Sequence, residues 1–139
     1  MTNRIEEVQR RVEEILSASG YPYKIEKGRA RVERGSAAVF ITAQRWQERH
    51  VIVELVCPIL ADVELTEPLL RRLNELNETL YFGKAYWRSS EVWLAHNLLG
   101  DTLDNEELIA SVGLMAVVAD RLDDELKKNF GGRRWRDET

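Results

Sequence analysis

Cysteine occurs once in this chain, histidine twice and proline three times, and each scarcity closes off a class of explanation. One thiol, Cys57, cannot close an intrachain disulfide, so the fold must stand on its core. His50 and His96 have no second thiol or ligand at metal spacing beside them, and no nucleophile–base pairing emerges. His50 reads as a turn residue, His96 as a strand residue and Cys57 as a small core hydrophobe. No apolar run approaches the ~18 residues of a membrane span. No signal-peptide pattern is present, which makes a reducing cytoplasm the expected compartment. The phosphate-cradling G-x-x-x-x-G-K-[ST], the G-x-G-x-x-G turn and the G-x-S-x-G elbow are missing as well. The expectation is a non-enzymatic protein with no catalytic residue, no cofactor, no metal and no membrane partner.

What is present is the composition of one soluble domain. A chain of 139 residues, 44% hydrophobic and 32% charged, has room for one core. At this size folding removes roughly two thirds of the extended chain's surface from water. Acidic residues outnumber basic ones by 24 to 20, a formal net charge of -4. The positive charges are dispersed, so nucleic acid is not the expected partner.

The element order follows from periodicity. Asn3 can cap a helix, with Glu6 placed to return the bond, and Ile5, Val8, Val12 and Ile15 form its apolar stripe until Gly20 and Pro22 stop it. Strands are expected over Tyr23 to Glu26, Arg29 to Glu33, Ala37 to Trp46 and His50 to Ile59, with turns at Lys27-Gly28 and Gly35-Ser36. In the last of these, apolar residues occupy both parities, as in a central strand. Thr66 caps a second helix carrying Leu69, Leu70, Leu73, Leu76 and Leu80, and a hairpin follows over Lys84 to Arg88 and Glu91 to Leu98. Asp104, Glu107 and the Leu103/Leu108 staple begin a third helix, whose belt Leu114, Val117 and Val118 broaden, and Gly131-Gly132 ends it. The fold class is α+β with an antiparallel sheet, residues 1–132 forming one domain and 133–139 a short loose tail.

Two charged runs invite a chemical reading. Asp120, Asp123, Asp124 and Glu125 lie four residues before or close to Lys127 and Lys128, the pattern of a solvated ion-pair face. Arg133-Arg134-Trp135-Arg136 mixes basic and aromatic residues, and an alternative function follows from it: a regulatory domain associating with nucleic acid or an acidic partner through this tail. Trp87 and Trp93 fall close to one hairpin, which would leave one of them on a partner-facing surface.

The run Leu73-Asn74-Glu75-Leu76-Asn77, then Tyr81-Phe82-Gly83-Lys84, a strand pair and a long helix with Ala119-Asp120-Arg121-Leu122 resembles the YbjN family of bacterial proteins. The closing Asn129-Phe130-Gly131-Gly132 is similar to that of its actinobacterial members. The family resembles the type III secretion chaperones in fold, of order α-β-β-β-α-β-β-α. The resemblance implies a cytoplasmic, stress-linked, chaperone-like or adaptor protein, a homodimer that binds an extended segment of an unknown client protein. For Asn74 and Asn77, poor helix formers, hydrogen bonding to a neighbouring loop is the structural alternative to ligand contact. A peptide site needs an open sheet edge or apolar groove, and the first helix with the following strands offers Val8, Val12, Tyr23, Ile25 and Val32. A self-complementary patch for dimerisation is expected on the second helix and hairpin, at Leu69, Leu73, Tyr86, Trp87 and Trp93.

Overall fold

A computed structural model of the protein describes residues 3–138. The elements run α1 (Arg4–Ser19), β1 (Lys24–Glu26), β2 (Arg29–Arg34), β3 (Ala37–Trp46), β4 (His50–Ala61), α2 (Glu67–Thr79), β5 (Lys84–Arg88), β6 (Glu91–Leu99), α3 (Asn105–Phe130) and β7 (Arg133–Arg134). Short 3₁₀ turns lie at Gly100–Thr102 and Trp135–Glu138. Every helix begins at a side-chain cap. Asn3 accepts from the Ile5 amide, Thr66 from Leu69 and Asp104 from Glu106, each satisfying a backbone donor that the helix leaves unpaired. No helix among the described residues is long and apolar enough to cross a membrane.

All strand pairings are antiparallel, in the order β1-β2-β3-β4-β6-β5, with β7 added on β4. The long central strand β4 pairs with β3 on one side and β6 on the other. Val51, Val53, Leu55, Cys57 and Ile59 of β4 are buried and meet Val39 and Ile41 of β3 and Leu94 and Leu98 of β6 in one core. From above, Val12, Leu16, Leu69, Leu108, Val112, Met115 and Leu126 close that core. Cys57 is fully buried and burial pushes its thiol up to about 12, so it stays a protonated hydrophobe.

Both ends of the sheet are protected. At one, β1 is only three residues long and fully exposed, with charges at Lys24 and Glu26. At the other, Asn77 of α2 grips the outer edge of β5: its amide Nδ2 donates to the Ala85 carbonyl (3.0 Å) and its Oδ1 accepts from the Ala85 amide (2.8 Å). Asn77 therefore occupies the two ladder positions that another strand would take, which supports the structural reading of that residue. Lys84 returns the favour by donating to the carbonyls of Asn77 and Leu80 at the end of α2.

Three expectations change. The acidic run on α3 is a solvated ion-pair face only in part, with Asp124 exposed and the partners of the run other than Lys127 and Lys128. Asp123 is 2% exposed and accepts from Ser36 Oγ at 2.6 Å, Asp124 meets Arg134 and Glu125 meets Arg72, because the turn between β2 and β3 and the chain after α3 fold against that side of the helix. Nor is the segment after Gly132 loose. Arg133 and Arg134 pair with Ala61 and Leu60 of β4, since the register of β3 on β4 ends at Phe40–Val56 and leaves this edge of β4 free. Thr139, its last residue, lies outside the described residues, as do Met1 and Thr2. Finally, the first strand group holds the four strands read from the residues, one more than the family order implies, and β7 adds a strand after α3.

Candidate binding surface

Alternation decides which side chains the helices cover. Odd-numbered positions of β3 and β4 face α1 and α3, so the even-numbered ones point to the opposite side of the sheet. Across that second face the register aligns Arg31, Phe40, Val56, Ala95 and Lys84 in one row and Pro58, Trp93 and Tyr86 in the next. None of the three helices packs over this side among the described residues. Ile52, Val56, Pro58, Trp93 and Ala95 are half-buried there, and Tyr86 is 39% exposed.

Two adjoining depressions form a trough on this face. The larger, of about 460 Å³, is lined by residues that include Arg29, Val56, Tyr86, Arg88, Glu91 and Trp93. The smaller, of about 150 Å³, adds Phe40, Pro58, Leu60 and Trp135. Arg29, Glu91 and Trp93 line both, so the two are one continuous feature. The Arg29 guanidinium lies 4.1 Å from the centre of the Phe40 ring, and its Nε is buried without a hydrogen-bond partner. A surface of aromatic and aliphatic groups with separate charges of both signs can grip an extended chain.

Of the residues expected to form a peptide groove, Val8, Val12 and Val32 are in the core, already packed against other buried side chains. The α1 stripe faces the sheet and leaves no cleft at those positions. Tyr23 is half-buried with its hydroxyl 2.7 Å from Ser17 Oγ, and Ile25 is exposed on the edge strand. Of the expected interface residues, Leu69 and Leu73 are likewise core, because the apolar stripe of α2 is turned inward. Trp87 packs against the core and donates its indole N–H to the Val63 carbonyl at 2.9 Å. Tyr86 and Trp93, with the other parity, face the trough. Trp93 is thus the hairpin tryptophan on the uncovered side.

Sequence reading missed Arg29, Phe40, Val56 and Pro58 as partners of Tyr86 and Trp93. The signal was the double apolar parity of β4, which fits the central place expected for that strand and also makes its second face the floor of the trough.

Elsewhere, a second apolar depression of about 280 Å³ lies between the end of α2 and α3, lined by Thr79, Leu80, Tyr81, Phe82, Leu114 and Val118. Tyr81 beside it is 94% exposed. His96 is held by the Gly83 amide, which donates to its Nδ1, and burial lowers its pKa from the ordinary imidazole value. His50 instead contacts Asp101 at 3.2 Å. In the tail, Arg133 meets Asp62 while Arg134 meets Asp124 and Asp137. Nothing there favours the nucleic-acid alternative.

The family model TY-Chap1, described as T3SS (YopN, CesT) and YbjN peptide-binding chaperone 1, matches residues 6–138. Among solved structures, a chain from the crystal structure of the ExsC-ExsE complex is similar, with a TM-score of 0.58 at 20% identity over 87% of this chain and 96% of that one. That likeness is one of fold. No curated protein matches.

Proposed function

The chain belongs to the TY-Chap1 family of T3SS and YbjN peptide-binding chaperones, and from that premise we propose that it binds extended segments of client proteins along the uncovered face of its sheet. The trough carries this reading. Its floor of Val56, Pro58 and Trp93 can bury alternate apolar side chains, while Arg29, Arg88, Glu54 and Glu91 stand at its margins for polar contacts. The molecule acts by binding and carries out no bond-making.

Panning a displayed library of random peptides on the full chain, then titrating the selected peptides, tests this. Trp93→Ala and the exposed Tyr86→Ala are expected to weaken those peptides roughly tenfold to a hundredfold, as truncating an aromatic anchor does. Leu70→Ala, on the exposed side of α2, should leave them unchanged. Selected peptides indifferent to both aromatic truncations would place the site elsewhere.

The chain also self-associates, in this proposal, through the depression between α2 and α3. An isologous contact needs one patch that carries both a projection and a recess. The ring of Tyr81 stands almost wholly in solvent next to the recess that Leu80, Phe82 and Leu114 line, so two copies can exchange tyrosines across a two-fold axis. Light scattering should give twice the 16.1 kDa chain mass. Tyr81→Asp should return it to the single-chain value. A single-chain mass for the unmodified protein at every concentration tried overturns this.

A further inference from the structure

The end of the chain already sits in the trough. After α3, Gly131 and Gly132 take φ values of 83° and 88°, and a Cβ on Gly132 would lie 2.7 Å from the Ala61 carbonyl, so only glycine lets the backbone approach β4 this closely. Arg133 and Arg134 then add to β4 as an antiparallel strand on the side away from β6, since Leu60 pairs with both Arg134 and Val92. Trp135 follows and swings onto the uncovered face. Its ring stands edge-on to Phe40 at 6.1 Å and 5.7 Å from the Arg31 guanidinium, closing the smaller lobe of the trough.

Strand addition followed by an aromatic side chain in a sheet-face pocket is how an extended peptide is recognised. The hold on the tail is slight, with two ladder positions where a strand usually has about five or six. Its ion pairs, Arg133 with Asp62, Arg134 with Asp124 and Asp137 with Lys127 of α3, are partly exposed and of the kind that contributes little. Beside the two ladder positions Asp62 and Asp124 supply negative charge that suits a basic segment, while Arg29 and Arg31 stand at the pocket that takes the aromatic ring.

We infer that residues 133–137 are a displaceable internal stand-in for the client, and that the clients share their pattern: an extended basic segment carrying an aromatic residue. The tail keeps the Phe40 end of the trough covered until such a segment replaces it. This rests on the reading that the sheet face receives extended segments.

The synthetic peptide of residues 131–139, labelled for fluorescence anisotropy, tests it on the full chain. Trp135→Ala weakens the internal competitor and is expected to raise the peptide's affinity on the order of tenfold, the scale of one lost aromatic contact in a pocket. The same peptide with alanine for its tryptophan should not bind. In a second variant, Ala61→Cys with Arg133→Cys, the two positions are direct cross-strand partners, within the Cα separation a disulfide tolerates. Cys57 is too deeply buried to interfere. Oxidation should abolish peptide binding and reduction restore it, and both forms share one sequence. Equal binding to the oxidised and reduced forms, or no gain with Trp135→Ala, would overturn the inference. The sheet-face reading fails separately, by the library peptides' indifference to Trp93→Ala and Tyr86→Ala.

Discussion

Leu69→Ala is expected to lower the stability of the chain by about 2–5 kcal/mol, the range for a buried leucine whose site collapses only partly. Leu69 has no exposed surface, and its amide donates to the Thr66 cap, so the residue is fixed at the first turn of α2 with its side chain in the core. Urea unfolding should show the midpoint falling by the same amount at low and at high protein concentration. Were Leu69 at a subunit contact, truncation would instead promote dissociation and the loss would depend on concentration. Leu70→Ala, at a side chain 49% exposed on the same turn, should stay within about 0.5 kcal/mol of the parent. The pair of variants separates packing within the chain from packing between chains.

Why Leu69 and Leu73 look like interface residues in the sequence has a physical basis. A helical stripe shows that one face is apolar but not what covers it, and in a single small domain the sheet has first claim on each stripe. The same limit applied to α1, whose Val8 and Val12 were expected to line a groove. Local signals served better. The caps at Thr66 and Asp104, the turn at Lys27-Gly28 and the hairpin from Lys84 to Leu99 all depend on residues within a few positions of each other, and the structure forms each of them. The tail strand depends on a pairing with Leu60 and Ala61, more than 70 positions away in sequence, for which no local pattern exists.

The trough was half legible. Tyr86 and Trp93 attract notice because large aromatics in a hairpin of a small domain need a partner. Arg29, Phe40 and Pro58 become their neighbours only once β2, β3, β4, β6 and β5 lie side by side in that order. β6 pairs with β4 on one side and with β5, its neighbour in sequence, on the other, and the β4 pairing brings the hairpin beside the N-terminal strands. A strand apolar on both parities has two meanings: one buried on both sides, and one with a face waiting for something else. β4 is of the second kind over Val56 and Pro58.

Ser36→Ala is expected to destabilise the chain by about 2–4 kcal/mol at neutral pH, because it strips a buried carboxylate of its donor. Ser36 Oγ lies 2.6 Å from Asp123 Oδ2 and 3.0 Å from Asp120 Oδ1. Asp120 also accepts from the Ser36 backbone amide at 3.0 Å, a bond that survives the substitution. Asp123 has no such reserve: its other oxygen, Oδ1, is buried and unpartnered. Burial raises the Asp123 pKa above the ordinary carboxylate value. The Ser36 hydroxyl opposes that rise, as does Arg134, while Asp124 and Asp120 add to it. Asp123 therefore binds its proton more tightly in the folded chain than in the unfolded one. Its contribution to stability is present in acid and is lost as pH rises through the folded value. Removing Ser36 takes away a group that favours the ionised form, which pushes that value higher still and enlarges the loss. The cost of Ser36→Ala should accordingly be greatest near neutrality and shrink as the medium is acidified and Asp123 becomes protonated. Asp123→Asn removes the charge but keeps an acceptor for Ser36, so that variant should be at least as stable as the parent at neutral pH, and in the double variant the loss from Ser36→Ala should be smaller. Urea midpoints for the four proteins, measured from neutral pH down into the ordinary carboxylate range, give the coupling between the two side chains at each pH. A coupling that does not change with pH would mean that Asp123 remains in one protonation state throughout, and that the serine holds the turn to α3 by a bond between neutral groups.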